Sequence, residues 1–346
     1  METAGHQAQK TTFGIRVPNS GPLASPAAIV KVAREAEFQG YHSVWVHDHL
    51  TWTDEIHRTH ISAGSEEALQ ADQKPDFYEA MTTLSYLAGI VNSVRLGIAC
   101  LVVPTRNPIY AAKQVANLDV LTAGRLDFGV GIGGPSTIIS REYEVLGVQK
   151  SLRGKIADDY IKAMKSIWTT NPSSYNGRFI SFKDAEIMPK PCQKPHPPIW
   201  IGGWTEPAMK RTALLGDIWL PAWLTPKDIG TRYELLKEMA RQSGRPPGAV
   251  QLGFEVYACI DENSQKAKRD AIGTLRASRS TYEREMTLEE LEDVSLVGSP
   301  EEINDKVKAY IMSGVLHFEI KFIYCTIDHL LEMMKLFSRA VLPKFT

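Results

Sequence analysis

The 346-residue sequence has only four cysteines, Cys100, Cys192, Cys259 and Cys325, widely spread and never in a C-x-x-C pair. That spacing gives no support to a disulfide framework or a zinc site, and the thiols are expected to be reduced and mostly buried in strands. No run of Lys and Arg stands out and the formal net charge is −1, so the broad basic face that nucleic acid needs is missing. The first dozen residues, Met1 to Thr12, lack the apolar core of a signal peptide, and no later stretch is apolar for long enough to span a bilayer. A cytoplasmic protein without a membrane partner is the expectation. Internal repeats and low-complexity tracts are also lacking.

What is present is an ordinary globular balance, 43% hydrophobic and 23% charged, enough for a large core. Residues 1–12 read as a flexible N-terminus and residues 13–346 as one domain. Within it, short apolar runs alternate with amphipathic stretches. Strands are predicted over Phe13–Val17, Ser43–Val46, Val94–Val103, Arg125–Ile132, Pro198–Ile201, Asp217–Ala222, Val250–Ile260 and His317–Ile323. Helices follow them over Ser25–Phe38, Pro75–Val91, Pro108–Leu121, Arg153–Thr169, Glu206–Leu215, Pro226–Gln242, Ser264 to about Arg284 with Pro300–Met312, and Asp328–Val341. Three insertions interrupt the rhythm: Thr51–Lys74 after strand two, residues 171–195 with a small hairpin around Tyr175–Phe182 after strand four, and residues 285–300 after strand seven. Strands that are almost continuous apolar runs belong to a parallel sheet covered by helices. Eight units without a break favour a single closed (β/α)8 TIM barrel over an open doubly wound sheet.

Active sites of such barrels form at the C-terminal strand ends. Strand two ends in His47-Asp48-His49, strand four in Gly131-Ile132-Gly133-Gly134, strand five in Gly202-Gly203-Trp204. The His-x-His pair resembles that of metal-dependent barrel hydrolases, but the later strand ends offer Gly, Trp and apolar residues instead of further ligands. Glycines let a backbone approach a flat ligand, and free N–H groups near a helix start favour an anion. A phosphate-bearing ring cofactor fits this set best, with Trp52 and Trp204 at the mouth able to cover the ring or a substrate.

At Gly40-Tyr41-His42-Ser43-Val44-Trp45-Val46-His47-Asp48-His49, Pro104-Thr105-Arg106-Asn107-Pro108, Leu118 to Arg125, Gly129-Val130-Gly131-Ile132-Gly133 and Pro195 to Gly203, the sequence resembles the bacterial-luciferase-like superfamily, nearest its coenzyme F-420-using branch. The resemblance spans roughly residues 13 to 345. It implies a barrel that binds either reduced FMN or the deazaflavin coenzyme F-420. It also implies that His49, following Asp48, lies beside the reactive ring in proton transfer. A third-strand bulge with a non-proline cis peptide, here about Ala99-Cys100-Leu101, would prop the ring, and relatives are often dimers. The sequence has Gly134-Pro135-Ser136 where some deazaflavin enzymes carry a Glu directly after the glycines.

Three readings follow. One is hydride transfer between F-420 and a small organic substrate, with His49 and Asp48 catalytic. Another is a reduced-FMN monooxygenase served by a partner reductase. The third is a flavin-binding protein without catalysis.

Overall fold

The computed structural model describes residues 10–50, 76–134, 137–277 and 287–346. The insertion Thr51–Lys74, with Trp52, and residues 1–9 lie outside the described residues. The barrel strands are β1 (Thr12–Arg16), β2 (Ser43–Val46), β3 (Arg95–Val102), β4 (Leu126–Gly131), β7 (Ile199–Gly202), β8 (Ile218–Leu220), β9 (Gln251–Ile260) and β11 (His317–Phe322). Each pairs in parallel with its neighbours, and β11 pairs with β1 at Phe13↔Phe318 and Ile15↔Ile320, closing an eight-stranded barrel. Residues Ser173–Asn176 (β5) and Ser181–Ala185 (β6) form the expected hairpin outside it.

Helices lie between the strands: α1 (Pro26–Phe38), α2 (Ala80–Ala88), α3 (Pro108–Leu121), α4 (Thr137–Val145), α5 (Arg153–Thr169), α6 (Glu206–Leu215), α7 (Pro226–Gln242), α8 (Ser264–Ala277), α9 (Leu288–Val294), α10 (Pro300–Met312) and α11 (Ile327–Ala340). Their starts follow local chemistry. Ser25 caps α1 by accepting from the Ala28 N–H, with Pro26 in the first turn, and Asn107 does the same for Ile109 and Tyr110 ahead of Pro108. Among the described residues no helix is long and apolar enough to cross a membrane.

The structure departs from the sequence reading at several points. Helix α2 starts at Ala80, later than the sequence reading has it, because the Glu79 carboxylate accepts the Met81 and Thr82 N–H groups and so caps it there. Helix α4 occupies a stretch to which the sequence reading assigns no element. Its Ile139, Glu142 and Tyr143, at i, i+3 and i+4, are all buried, a stripe masked in sequence by the preceding Gly-Gly-Pro. The three-residue strand β10 (Leu296–Gly298), too short for periodicity to reveal, pairs with the outer end of β9. Finally, Cys192 and Cys325 are exposed; only Cys100 and Cys259 sit in strands.

The lower barrel is packed solid around Trp45, which lies fully buried with its indole N–H donated to Ser43 Oγ at 2.7 Å. The ring passes so close to two strands that a Cβ on Gly97 would come within 2.2 Å of it, and one on Gly14 within 2.3 Å. Trp200 meets it edge-on at 5.0 Å. This plug closes the bottom, so any ligand must enter from the opposite, C-terminal end.

Candidate active site

A cavity of about 430 Å³ opens at that end. Its wall takes His47, Asp48 and His49 from the end of β2, and Ala99, Cys100 and Val102 from β3. Gly131 to Gly134 after β4 and Gly202 to Thr205 after β7 continue it. The structure thus brings together His49, Asp48, Ala99, Cys100, all six glycine-loop positions proposed from sequence (Gly131, Ile132, Gly133, Gly134, Gly202 and Gly203) and Trp204. Leu101 alone of that set turns away, fully buried in the core beyond the irregularity that brings both Ala99 and Cys100 to the cavity side.

The β3 segment carries an Ala99–Cys100 cis peptide, at the position the resemblance implied, and the β3–β4 register slips between Ile98 and Leu101. The Cys100 side chain points into the barrel, where it fits because its neighbours lack side chains: a Cβ on Gly202 would sit 2.6 Å from its sulfur. Burial pushes the Cys100 thiol well above its usual value, with Glu255's charge adding to the shift.

On the β2 side, the three residues of His47-Asp48-His49 have different partners. His47 Nε2 lies 2.8 Å from Ser20 Oγ, and its ring packs edge-on against Phe77 at 4.9 Å. The Asp48 carboxylate accepts the Val102 N–H at 3.0 Å and Arg106 Nη2 at 2.6 Å, tying the end of β2 to the end of β3. His49 Nδ1 stands 3.2 Å from Glu142 Oε1, and the same oxygen accepts the Leu50 N–H at 2.6 Å. The rings of His47 and His49 are 6.3 Å apart at 68°, turned to separate partners, and do not converge as a ligand pair.

Glu142 was missed in the sequence because it lies on α4, eight residues past Gly134 and outside any motif. Arg153 was missed too, having been read only as the first residue of a helix. It lines the cavity, and its buried Nε has no hydrogen-bond partner among the described residues. Beside it stands the start of α6, whose N-cap Thr205 makes no capping bond with its side chain. Gly203, at φ +110, takes the left-handed region that leads the chain into that helix start. A dipole end, a free hydroxyl and an unspent guanidinium N–H make an anion cradle. A cofactor phosphate therefore fits the residues present.

The floor is polar. Arg16 donates Nε and Nη2 to Glu319 at 2.9 and 2.8 Å, and Nη2 also lies 3.2 Å from Glu255. Lys321 Nζ donates to the Tyr257 hydroxyl at 2.7 Å. Burial, joined by the nearby Arg16 charge, brings the Lys321 ammonium down to about 8, and burial raises Tyr257. A signal for these groups existed: β9 and β11 carry Glu-x-Tyr and Glu-x-Lys at alternate positions of otherwise apolar strands, which aims all four to one side.

Comparison with known proteins agrees with this architecture. A solved F420-dependent secondary alcohol dehydrogenase, in complex with an F420-acetone adduct, superposes with a TM-score of 0.79 at 18% identity, covering 97% of this chain and 99% of that one. An uncharacterised Mycobacterium tuberculosis protein is 29% identical over 236 residues, 67% of this chain and 79% of its own. The FMNH(2)-dependent dimethylsulfone monooxygenase of Pseudomonas putida is 25% identical over 303 residues, 77% of this chain and 78% of its own. The family model for luciferase-like monooxygenases matches residues 6–317. With most of its length matched and its barrel closed as that fold requires, the chain belongs to the luciferase-like monooxygenase family of oxidoreductases.

Proposed function

We propose that the protein transfers a hydride between coenzyme F-420 and a small organic substrate held in the mouth cavity, with His49 handling the accompanying proton. The observation that carries this reading is the His49–Glu142 pair on the cavity wall. A carboxylate 3.2 Å from Nδ1 fixes the orientation of the imidazole, which suits a proton donor or acceptor beside a redox ring. Bound in the cavity, the deazaflavin would supply or receive the hydride. Arg153, Thr205 and the first N–H groups of α6 would hold its phosphate, Gly131 to Gly134 would allow close approach of the ring, and Ala99 and Cys100 would back it. Asp48 would act by holding the β2 end in place.

A second reading, a reduced-FMN monooxygenase fed by a partner reductase, is favoured by the FMNH(2)-dependent relative from Pseudomonas putida. Equilibrium titration of the purified protein with each cofactor separates the two. Micromolar binding of F-420 is expected, and binding of FMN with none of F-420 would overturn the first reading in favour of the second. Replacement His49→Ala should lower turnover by roughly 10²–10⁴-fold with little change in cofactor affinity. A variant with turnover intact would show that His49 has no chemical part, whereas cofactor binding without detectable turnover in the parent protein would speak for a flavin-binding protein without catalysis.

A further inference from the structure

The charged floor of the cavity is not used by the proton and cofactor roles above, and its layout constrains the substrate. Pairing of Glu319 with Glu255 and of Lys321 with Tyr257 across β11 and β9 sets two layers, with Arg16 of β1 completing the ring where the barrel closes. The two cations and two anions balance. Arg16 is engaged by both carboxylates, with Nη2 shared between Glu319 and Glu255, and the Lys321 ammonium is turned to a phenol oxygen. Because Lys321 donates, the Tyr257 oxygen accepts, and its own O–H is left to point elsewhere. Among the described residues that hydroxyl has no acceptor, and Tyr257 lines the cavity. Apolar groups of Leu220, Ala222 and Trp223 complete the adjoining wall. Trp223 holds the left-handed backbone at φ +59, a conformation a bulky residue rarely adopts, and its ring lies 4.5 Å from that of Tyr257.

We propose that the Tyr257 hydroxyl is the docking point for a neutral oxygen of the substrate, a ketone, aldehyde or carbinol, and that Lys321 orients it, an inference that rests on the oxidoreductase reading. With two cations balancing two carboxylates the floor offers an ion no net opposite charge, and an added anion would also lie against Glu255, whose side chain is 22% exposed. A neutral oxygen accepts one hydrogen bond from Tyr257 and leaves its hydrocarbon part to Trp223, Leu220 and Ala222. Lys321 is a positioning residue in this arrangement, and Tyr257 the one that touches substrate.

The test uses cyclohexanone labelled with ¹³C at the carbonyl, added to the full chain with and without bound cofactor and followed by infrared difference spectroscopy. Cyclohexanecarboxylate and cyclohexylamine serve as charged competitors. Binding of the ketone in preference to both is expected. In Tyr257→Phe the carbonyl band should move to higher wavenumber and affinity should fall roughly three- to tenfold, the loss of one hydrogen bond. Lys321→Met should move the band in the same direction, and Lys321→Arg should restore part of it; this pair also decides the matter if Tyr257→Phe fails to fold. A band unchanged in both variants, tighter binding of either ion, or no ketone binding would overturn the subsite. Failure of both F-420 and FMN to bind would instead overturn the cofactor reading, whatever the infrared spectra show.

Discussion

Glu142 places one carboxylate oxygen between His49 Nδ1, at 3.2 Å, and the Leu50 backbone N–H, at 2.6 Å. The same atom therefore fixes the imidazole and the chain that carries it. Its side chain is almost fully buried, 2% exposed, against 21% for His49, and His49 lines the cavity.

Replacing Glu142 by Gln keeps the shape and the Leu50 contact but removes the charge. Charge-assisted hydrogen bonds contribute about 1.5–3 kcal/mol, so turnover should fall roughly 10- to 100-fold while cofactor affinity stays within a few-fold. Steady-state kinetics and cofactor titration on the same preparation check this. Unaltered turnover would reduce Glu142 to a support for the backbone at Leu50.

The Asp48 carboxylate spends its acceptors on Val102 N–H and Arg106. In Asp48→Asn one of those bonds is lost in a buried setting, and stability should drop by about 1–3 kcal/mol. Denaturant unfolding reads the loss. Turnover of the folded variant should remain well above that of His49→Ala; equal losses in the two would give Asp48 a direct chemical part.

The fit between Cys100 and Gly202 predicts a rescue. Gly202→Ala alone forces its new methyl to within 2.6 Å of the Cys100 sulfur and should destabilise the protein by about 1–3 kcal/mol. Adding Cys100→Ala removes the sulfur and leaves only the Cβ, 3.6 Å away, an ordinary contact. The double variant should recover most of the loss, and the coupling energy from the four unfolding curves measures it. Additive losses would show that the two side chains do not compete for one space.

At the barrel floor, His317 is held neutral. Burial lowers it well below its usual value, with the His42 and Arg95 charges adding, and its Nδ1 lies 2.7 Å from Thr12 Oγ1. The unfolded chain protonates this imidazole near pH 6.5 and the folded one does not, so below that pH the unfolded state binds more protons. Stability from this site is complete above about pH 6.5 and should fall by roughly 1.4 kcal/mol per pH unit as the medium is acidified. His317→Gln has no such proton to take up, so its stability curve from pH 7 to 5 should be flatter than the parent's. Parallel curves would place the acid sensitivity at other groups.

The alternation of strands and helices was legible because parallel barrel strands are buried on both faces and read as apolar runs, while caps such as Ser25 and Asn107 announce the helices locally. The glycines at 131, 133, 202 and 203 were legible for the same reason: each answers to a neighbouring strand end or a turn, and the sequence reports it directly. The mouth was determined by sequence as far as its strand ends, including His49. Its partners were not. Glu142 and Arg153 come from helices whose positions depend on how the segment after β4 folds back, and Trp52 lies outside the described residues. Arg16, Glu255, Tyr257, Glu319 and Lys321 stand on strands one, seven and eight of the barrel, and they meet only because β11 pairs with β1. Which strand ends face the cavity is a matter of local period; which charges share it is decided by barrel closure, a long-range pairing that no local pattern encodes.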